Sequence, residues 1–448
     1  MKKILFLFLL ATVLSCNSQQ KDLEKEQGKF SKIYAQKQYL DDIEELSEKL
    51  ISTHPQPFEF ISKENFFKVV EEKKNAITDK TTFGEFIWHT SEIVANIGCS
   101  HTNLGAFIQE SEILPVDKIF PLEIRMIEGK MYISNSLINK EKKLEGSEIL
   151  NINGVSAKSI KDDIYKHISA DGGDGRESKK KYFNFFSPYY ISYSLNFPEN
   201  YEVKIAGIKE PIILNKLKEY EFTYEGKEDY SKEYCEDVLC FRTIDDKSTS
   251  ILTMRTFYYD GEDLLKYRQL LEKSFKELKE KGIKNLIIDL RGNGGGQSFN
   301  GAHLLRYLSS ETFTYFLRNE YADEEQFNPM NPFENQFEGN IYILQNAGCG
   351  STTGHFLSLV KSNNIATLIG EESGGTYTCN DYSFSLELKN TGITTRIARS
   401  TFTTTAENLP KDKGIVPDHN VVQSIQDFLR GQDTVMEYTF DLINAEKN

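Results

Sequence analysis

The sequence predicts a multidomain chain of mixed class, α+β followed by α/β: a helical unit first, then a β-rich unit, then a larger α/β unit. Three observations predict it. The 448 residues exceed what one hydrophobic core of about 150 residues organises. The apolar period changes from helical to alternating near Pro115, and a strand–helix–strand pattern sets in after Leu239. Composition is that of a globular protein, 27% charged and 39% hydrophobic. A formal charge of -14 without a basic stripe argues against a nucleic-acid partner.

Lys2 and Lys3 precede an apolar run from Ile4 to Leu14, too short to span a bilayer and flanked as a secretory signal is. The run ends in "VLSC" and passes into polar "NSQQKDLEKEQGK", which resembles a bacterial lipobox with Cys16 as the lipidated residue. The expected layout is a signal peptide over 1–16, a tether over 17–39 and a lipoprotein of the bacterial cell envelope, periplasmic or on the outer-membrane surface. A lipid anchor would then be its only tie to the membrane. The remaining cysteines, Cys99, Cys235, Cys240, Cys349 and Cys379, are odd in number, so no complete disulfide framework follows. Cys235 with Cys240, or Cys349 with Cys379, are the candidate bridges. No zinc-ligand spacing occurs, so neither a metal nor a cofactor is expected.

Over 40–112, "YLDDIEELSEKLISTHPQPF" has helical spacing broken at Pro55 and Pro57, and "KENFFKVVEEKKNAI" and a Thr-capped "TTFGEFIWHTSEIVANI" follow. Over 113–216, "FPLEIRMIEGKMYISN" alternates as two strands about Glu128-Gly129. "LEGSEILNINGVSAKSIKDDIYKHI" continues as turn, short strand, Asn-Gly turn and helix, an order that resembles the later half of a PDZ domain. Such domains capture extended peptides by strand addition. The aromatic segment Lys179 to Glu199 reads as core and inter-domain packing, with a substrate groove as the alternative. Strands resume from Tyr201 to Leu214, and "GKEDYSKEYCED" is a linker.

Within 236–432, "STSILTMRTF", "GEDLLKYRQLLEKSFKELKEKG" and "KNLIIDL" form a parallel β-α-β crossover, the helix closed by Gly282. The second strand runs into "RGNGGG", Arg291 to Gly296, whose glycines let backbone N–H groups turn toward a ligand. With no G-K-[ST] ending and no G-x-G-x-x-G spacing, the loop suits an oxyanion better than a phosphate. The strand "GNIYILQN" delivers "AGCGSTTGH" to the same sheet edge, with Ser351 opening a helix beside the free N–H of Thr352. The loop "RNEYADEEQFNPMNPFENQFEG" reads as a lid or a variable surface loop, Asp418 and His419 as structural, and 433–448 as a C-terminal helix and tail.

"LIIDLRGNGGG", the serine after the next strand, "LIGEESGGT", "GIVPDHNVVQSIQDFLRGQD" and, upstream, "LISTHPQPF", "TFGEF" and "NIGCSHTNL" together resemble the C-terminal-processing (tail-specific) and tricorn-core family of serine peptidases, from about Leu40 to Leu442. The resemblance implies a ClpP/crotonase-like catalytic domain after a PDZ-like one, and a serine endopeptidase acting on polypeptides through an acyl-enzyme. It carries the nucleophile onto Ser351, and the oxyanion donors onto Gly294 or Gly295 and Thr352. Gly375 stands where processing members place a lysine base, so a Ser–Lys dyad is not expected. Tricorn-like members use a histidine preceded by serine, which carries the base onto His101 and its orienting hydroxyl onto Ser100. The carboxylate behind Ser100 is left among Glu371, Glu372 and Glu407, because the matching stretch near Arg396 and Arg399 offers none. His355, one turn after Ser351, ranks below His101, and Cys349 and Cys99 read as buried structural residues. The alternative function is a family-fold protein that binds a peptide or an apolar ligand without cleaving it.

Overall fold

The computed structural model describes residues 28–104, 114–172, 177–223, 226–228, 230–244, 248–321 and 323–446. Cys16 and the expected signal and lipidation site lie outside them. Three helices come first: α1 (Gln36–Thr53), α2 (Lys63–Ala76) and α3 (Phe83–Ala95). α1 stops as the chain enters His54-Pro55, since the residue before a proline is pushed out of helical geometry. α2 begins at a Ser62 cap, and α3 at a capping box in which Thr82 and Glu85 bond each other's backbone N–H.

The β-rich unit is one six-stranded antiparallel sheet. β1 (Glu123–Ile127), β2 (Lys130–Asn135) and β3 (Glu148–Ile152) run in order, the first two joined at Glu128-Gly129 as the alternation predicts. β4 (Val155–Ser156) pairs with β3 across the Asn153-Gly154 turn, and helix α4 (Ala157–Tyr165) follows. The aromatic segment forms helix α5 (Glu177–Ser194), which departs from helical geometry at Phe186, two residues before Pro188. β5 (Glu202–Ile205) and β6 (Ile212–Ile213) complete the sheet in the order β1-β2-β3-β5-β6. β1 is therefore an edge strand, and α5 covers it: Ile124 N–H donates to Ser187 Oγ (2.8 Å) and Met126 N–H to Asn184 Oδ1 (2.7 Å). A peptide adding to that edge would have to displace these side chains, because they already hold the donors that strand addition uses.

The second unit is a six-stranded sheet. β7 (Leu239–Thr243) pairs antiparallel with β8 (Thr249–Met254); helix α6 (Gly261–Lys281) then crosses to β9 (Asn285–Asp289), parallel to β8. Helix α7 (Ser298–Leu308), β10 (Asn340–Gln345), helix α8 (Thr352–Ser362) and β11 (Thr367–Gly370) repeat the crossover. Gly282, at φ 64, caps α6 where the helix pattern places its end. Between α7 and β10 the polar, aromatic loop is partly packed down: Gln326, Phe327 and Met330 are buried, and Phe313 and Met330 exchange backbone hydrogen bonds. Two short ladders, β12 (Thr378–Asp381) with β15 (Ser400–Thr403) and β13 (Phe384–Glu387) with β14 (Thr394–Ile397), were not foreseen from the pattern. β16 (His419–Asn420) closes the sheet order β16-β11-β10-β9-β8-β7, and helices α9 (Ile425–Arg430) and α10 (Thr434–Glu446) end the chain.

Hydrophobic burial does not respect the sequence order of these units. One apolar cluster joins Leu46, Phe86 and Ile97 of the helical unit, Ile124 and Phe183 of the β-rich unit, and Ile393 and Ile397 of the late hairpin. Asp42 on α1, fully buried, ties the same pieces together by accepting from Asn390 N (3.0 Å), Thr391 N (2.9 Å) and Thr391 Oγ1 (2.6 Å). The helical and β-rich segments therefore share a core with residues from the far end of the chain.

The chain end is bound just as firmly. Arg291, 1% exposed at its side chain, forks onto Asp433 (2.6 and 2.9 Å) and onto Asp289 (2.9 and 2.9 Å), while Arg255 reaches the same Asp289 at 2.7 Å. Burial works to raise the Asp289 carboxyl, but the two guanidiniums overcome it and hold it well below the usual carboxylate range. Removing one partner of such a cluster strands a buried charge. Asp433→Ala is accordingly expected to lower the unfolding free energy by about 3–5 kcal/mol in urea denaturation; a loss below about 1 kcal/mol would mean that Arg291 does not need this partner.

Candidate active site

β9 ends at Asp289, and the chain turns through Arg291 into the glycines while β10 brings Asn346 to Ser351 alongside. The two loops touch over their whole length. A Cβ on Gly348 would lie 2.7 Å from Gly292 Cα, and one on Gly295 would lie 2.7 Å from Ser351 Cβ. Only residues without a side chain permit that approach, and Gly295 also sits at φ +106. Asn293 locks the contact: its Oδ1 accepts from Gly295 N (3.0 Å) and Thr353 Oγ1 (2.8 Å), its Nδ2 donates to Met254 O (3.1 Å), and its carbonyl accepts from Gly350 N (3.1 Å).

Ser351 occupies the N-cap position of α8 with φ 48 and ψ −125, a conformation costly for a residue bearing a Cβ. The helix itself begins one residue later, at Thr352. The N–H of Gly295 is spent on Asn293, whereas among the described contacts Gly294 N–H and Thr352 N–H have no acceptor. Of the two glycines expected as oxyanion donors, Gly294 is therefore the one left open. The helix packs against the next loop at Gly354, where a Cβ would meet Gly375 at 2.6 Å, and Gly375 N donates to Cys349 O (2.7 Å). A Cβ on Gly375 would lie 2.9 Å from Gly354 Cα, so a lysine at this position has no room in the present packing.

The upstream partner comes from the loop after α3. Ser100 N donates to Asp171 Oδ1 (2.8 Å), Ser100 Oγ donates to Asp171 Oδ2 (2.8 Å), and Ser100 Oγ lies 3.2 Å from His101 Nδ1. An ionised carboxylate only accepts, so the serine hydroxyl gives its proton to Asp171 and must accept from Nδ1–H. That chain of bonds fixes the tautomer and leaves Nε2 of His101 with a lone pair. The loop is seated on the late hairpin: Asn103 and Arg396 exchange backbone bonds (3.1 and 2.9 Å), Ser383 Oγ donates to His101 O (2.8 Å), and Cys99 Sγ to Asn380 O (3.7 Å). Nε2 faces Asp381 Oδ2 at 3.8 Å. Among the described contacts no hydrogen bond joins His101 to Ser351.

The carboxylate behind Ser100 is thus Asp171 and none of the three expected. Glu371 is held by Lys180 at 2.5 Å, Glu372 accepts from Gly414 N (2.7 Å), and Glu407 is exposed beside Ser362, at the end of α8 remote from Ser351. The signal for Asp171 was local and weak: an aspartate in "ADGGDG", brought to Ser100 because Gly172 N bonds Gly98 O (3.0 Å). His355 is buried, its ring edge-on to Phe316 at 5.1 Å. Cys349 is buried with Sγ toward Leu290 O (3.1 Å), and burial pushes the Cys99 thiol up to about 12, far from a reactive thiolate. Cys235 and Cys240 are disulfide-bonded, whereas Cys349 and Cys379 are thiols that form no bridge with each other.

Residues 248–421 match the model of peptidase family S41. This chain carries a family S41 peptidase domain. The match identifies a serine-type peptidase, a class whose substrates are polypeptides. Its fold is similar to that of mature CPAF (TM-score 0.60, 12% identity, covering 90% of this chain and 95% of that one) and of mature CPAF complexed with lactacystin (0.61, 13%, 91% and 97%). A looser likeness is to the photosystem II D1 C-terminal processing protease (0.41, 14%, 88% and 98%). No curated protein matches the sequence at a significant level.

Burial, with the nearby His101 adding to it, pushes the His355 imidazole of this peptidase down to about 3. The folded chain therefore refuses a proton there that the unfolded chain accepts below about pH 6.5. Stability should fall as pH drops from about 6.5 toward 3, and His355→Leu should remove about 1.4 kcal/mol per pH unit of that slope. Urea denaturation of both proteins between pH 7 and 5 measures the difference; equal slopes would mean that His355 takes up its proton in the folded state.

Proposed function

We propose that this chain is an extracytoplasmic serine endopeptidase in which Ser351 is the nucleophile and His101 the general base. The observation that carries the reading is the Asp171–Ser100–His101 chain of hydrogen bonds, which leaves Nε2 as the one basic ring atom. As the peptide carbonyl is attacked, the Ser351 Oγ–H proton passes to Nε2 and an Oγ–C bond forms. The negative charge grows on the carbonyl oxygen, toward the open N–H groups of Gly294 and Thr352, where preorganised donors are worth a few kcal/mol. Collapse breaks the C–N bond, Nε2 returns its proton to the leaving amine, and water then hydrolyses the acyl-enzyme. Ser100 and Asp171 are positioning residues that hold the ring and offset its positive charge. Because Nε2 faces Asp381 at rest, substrate binding must let the ring leave that carboxylate for Ser351, a tightening that apo enzymes often require.

Ser351→Ala should abolish both peptide hydrolysis and labelling by a fluorophosphonate probe, and His101→Ala should cost roughly 10³–10⁴ in kcat. Asp171→Asn should cost at least roughly 10²-fold, through kcat rather than KM. Lactacystin, which mature CPAF binds, should block the labelling. The absence of a His101–Ser351 hydrogen bond favours one competitor, a protein that binds peptides or apolar ligands without cleaving them. Hydrolysis rates identical in wild type and Ser351→Ala would establish that competitor.

The extracytoplasmic setting rests on the lipobox-like stretch ending at Cys16 and on the Cys235–Cys240 disulfide, a bond that persists in oxidising compartments. Full-length protein should partition into the detergent phase of Triton X-114 and Cys16→Ala into the aqueous phase; equal partitioning would remove the anchor.

A further inference from the structure

Beside the strained turn lies a cleft of about 320 Å³ at the seam between α5 and the end of the parallel sheet, small for a ligand pocket (~300–1,000 Å³). Its apolar walls are Tyr182, Phe185 and Phe186 from α5 and Tyr230 from the linker; its floor is backbone of Gly292 and of Ala347-Gly348. Both floor segments belong to the loops that present Gly294 and Ser351. Gly348 is three residues from Ser351, so the cleft starts within about 11 Å of it at ~3.8 Å per residue. An extended substrate rises about 10 Å over three residues at about 3.3 Å each, and a large side chain spans the remainder.

We propose that this cleft is a specificity subsite of the peptidase, taking a large apolar or aromatic side chain of the substrate within three residues of the scissile bond. The inference rests on Ser351 being the reacting serine. The wall is built and held in place: Tyr230 lies face-on to the Arg255 guanidinium (3.9 Å), and Phe186 stacks on Phe222 (4.8 Å). A Cβ on Gly292 would approach Tyr230 to 3.0 Å, and its φ of +75 already favours glycine, so the floor is kept free of side chain there. Three of the four cations lining the cleft are engaged elsewhere; the fourth, Lys181, lies over the wall residue Tyr182 (6.0 Å), and Glu228 lines the same cleft with the opposite charge. Lys180 pairs with Glu371 (2.5 Å) and Glu177 (2.9 Å), Lys227 with Glu123 (2.7 Å), and Arg125 lies over Phe428 (4.0 Å) while donating to Lys227 O (2.9 Å). Selection in the cleft is then by apolar surface and shape rather than by charge. A larger cavity of about 940 Å³ farther along the linker touches neither Gly292 nor the 346–348 turn and is not adjacent to the reaction.

Cleavage of a denatured-protein digest, with products mapped by mass spectrometry, should show phenylalanine, tyrosine, leucine or methionine enriched at one fixed position within three residues of the cut. For a peptide pair differing only by Phe or Ala at that position, the ratio of kcat/KM should be tenfold or more. Phe185→Ala and Tyr182→Ala should each lower that ratio at least threefold. An unchanged ratio in both variants, with Ser351 still labelled by the fluorophosphonate, overturns the subsite and leaves the nucleophile standing. Should Ser351 fail to label and no peptide be cut, calorimetric binding of the same Phe and Ala peptides to Ser351→Ala decides the subsite separately. Tighter binding of the Phe peptide that Phe185→Ala removes supports it, and equal binding of the two peptides overturns it.

Discussion

Arg291 is the residue on which the geometry of this molecule turns. A guanidinium with 1% of its side chain exposed is tolerable only when its donors are met by opposite charge, and here Asp289 and Asp433 both meet it. One partner closes β9 and the other opens α10, so the start of the glycine loop and the end of the chain cannot separate without exposing or orphaning charge. Arg255 joins through Asp289 and through the Arg291 carbonyl (2.8 Å), and its face holds Tyr230. The glycine loop, the C-terminal helix and one wall of the neighbouring cleft therefore lean on a single buried cluster.

Around that anchor the site is assembled by removing side chains. Gly292, Gly295, Gly348, Gly354 and Gly375 all sit where a Cβ would fall within 3.0 Å of a neighbour, in most cases backbone. Their absence of bulk lets the loop after β9, the turn before α8 and the loop after β11 close on Ser351 from three sides. The same closeness leaves no room for a lysine at position 375, and the imidazole proposed as base, His101, comes from a loop at the other end of the chain. That loop depends on the shared N-terminal core, on the Asp42 tie and on the backbone exchange between Asn103 and Arg396. Placement of His101 is therefore a property of the whole molecule rather than of the α/β unit.

The aromatic helix α5 connects these two halves. Pro188 and the irregular turn at Phe186 bend it, its Ser187 and Asn184 close the free edge of the β-rich sheet, and Lys180 with Ser178 rests on the loop after β11. The reading of this segment as core and inter-domain packing describes most of its side chains. Tyr182 and Phe185 instead stay half-buried and line the cleft, because a helix between two cores buries more than one face.

What the sequence by itself determined was most of what repeats along the chain over a long enough stretch or follows from turn chemistry. The period-2 and period-3.6 stretches located the strands and helices, Gly282 and Thr82 marked helix ends, and "RGNGGG" and "GCGST" marked two loops at one sheet edge, because turn chemistry and burial period are local. The short ladders at 378–403 escaped since four-residue strands carry too little alternation to stand out. Tertiary structure alone decided which carboxylate backs Ser100, which glycine N–H stays open, and that Cys235 rather than Cys349 finds a bridge. Each of these depends on a contact a few ångströms long between residues that the chain order separates or leaves ambiguous. Asp171 reaches Ser100 only because the loops at Gly98 and Gly172 pair, and that pairing is settled by how the cores pack, which no local pattern encodes.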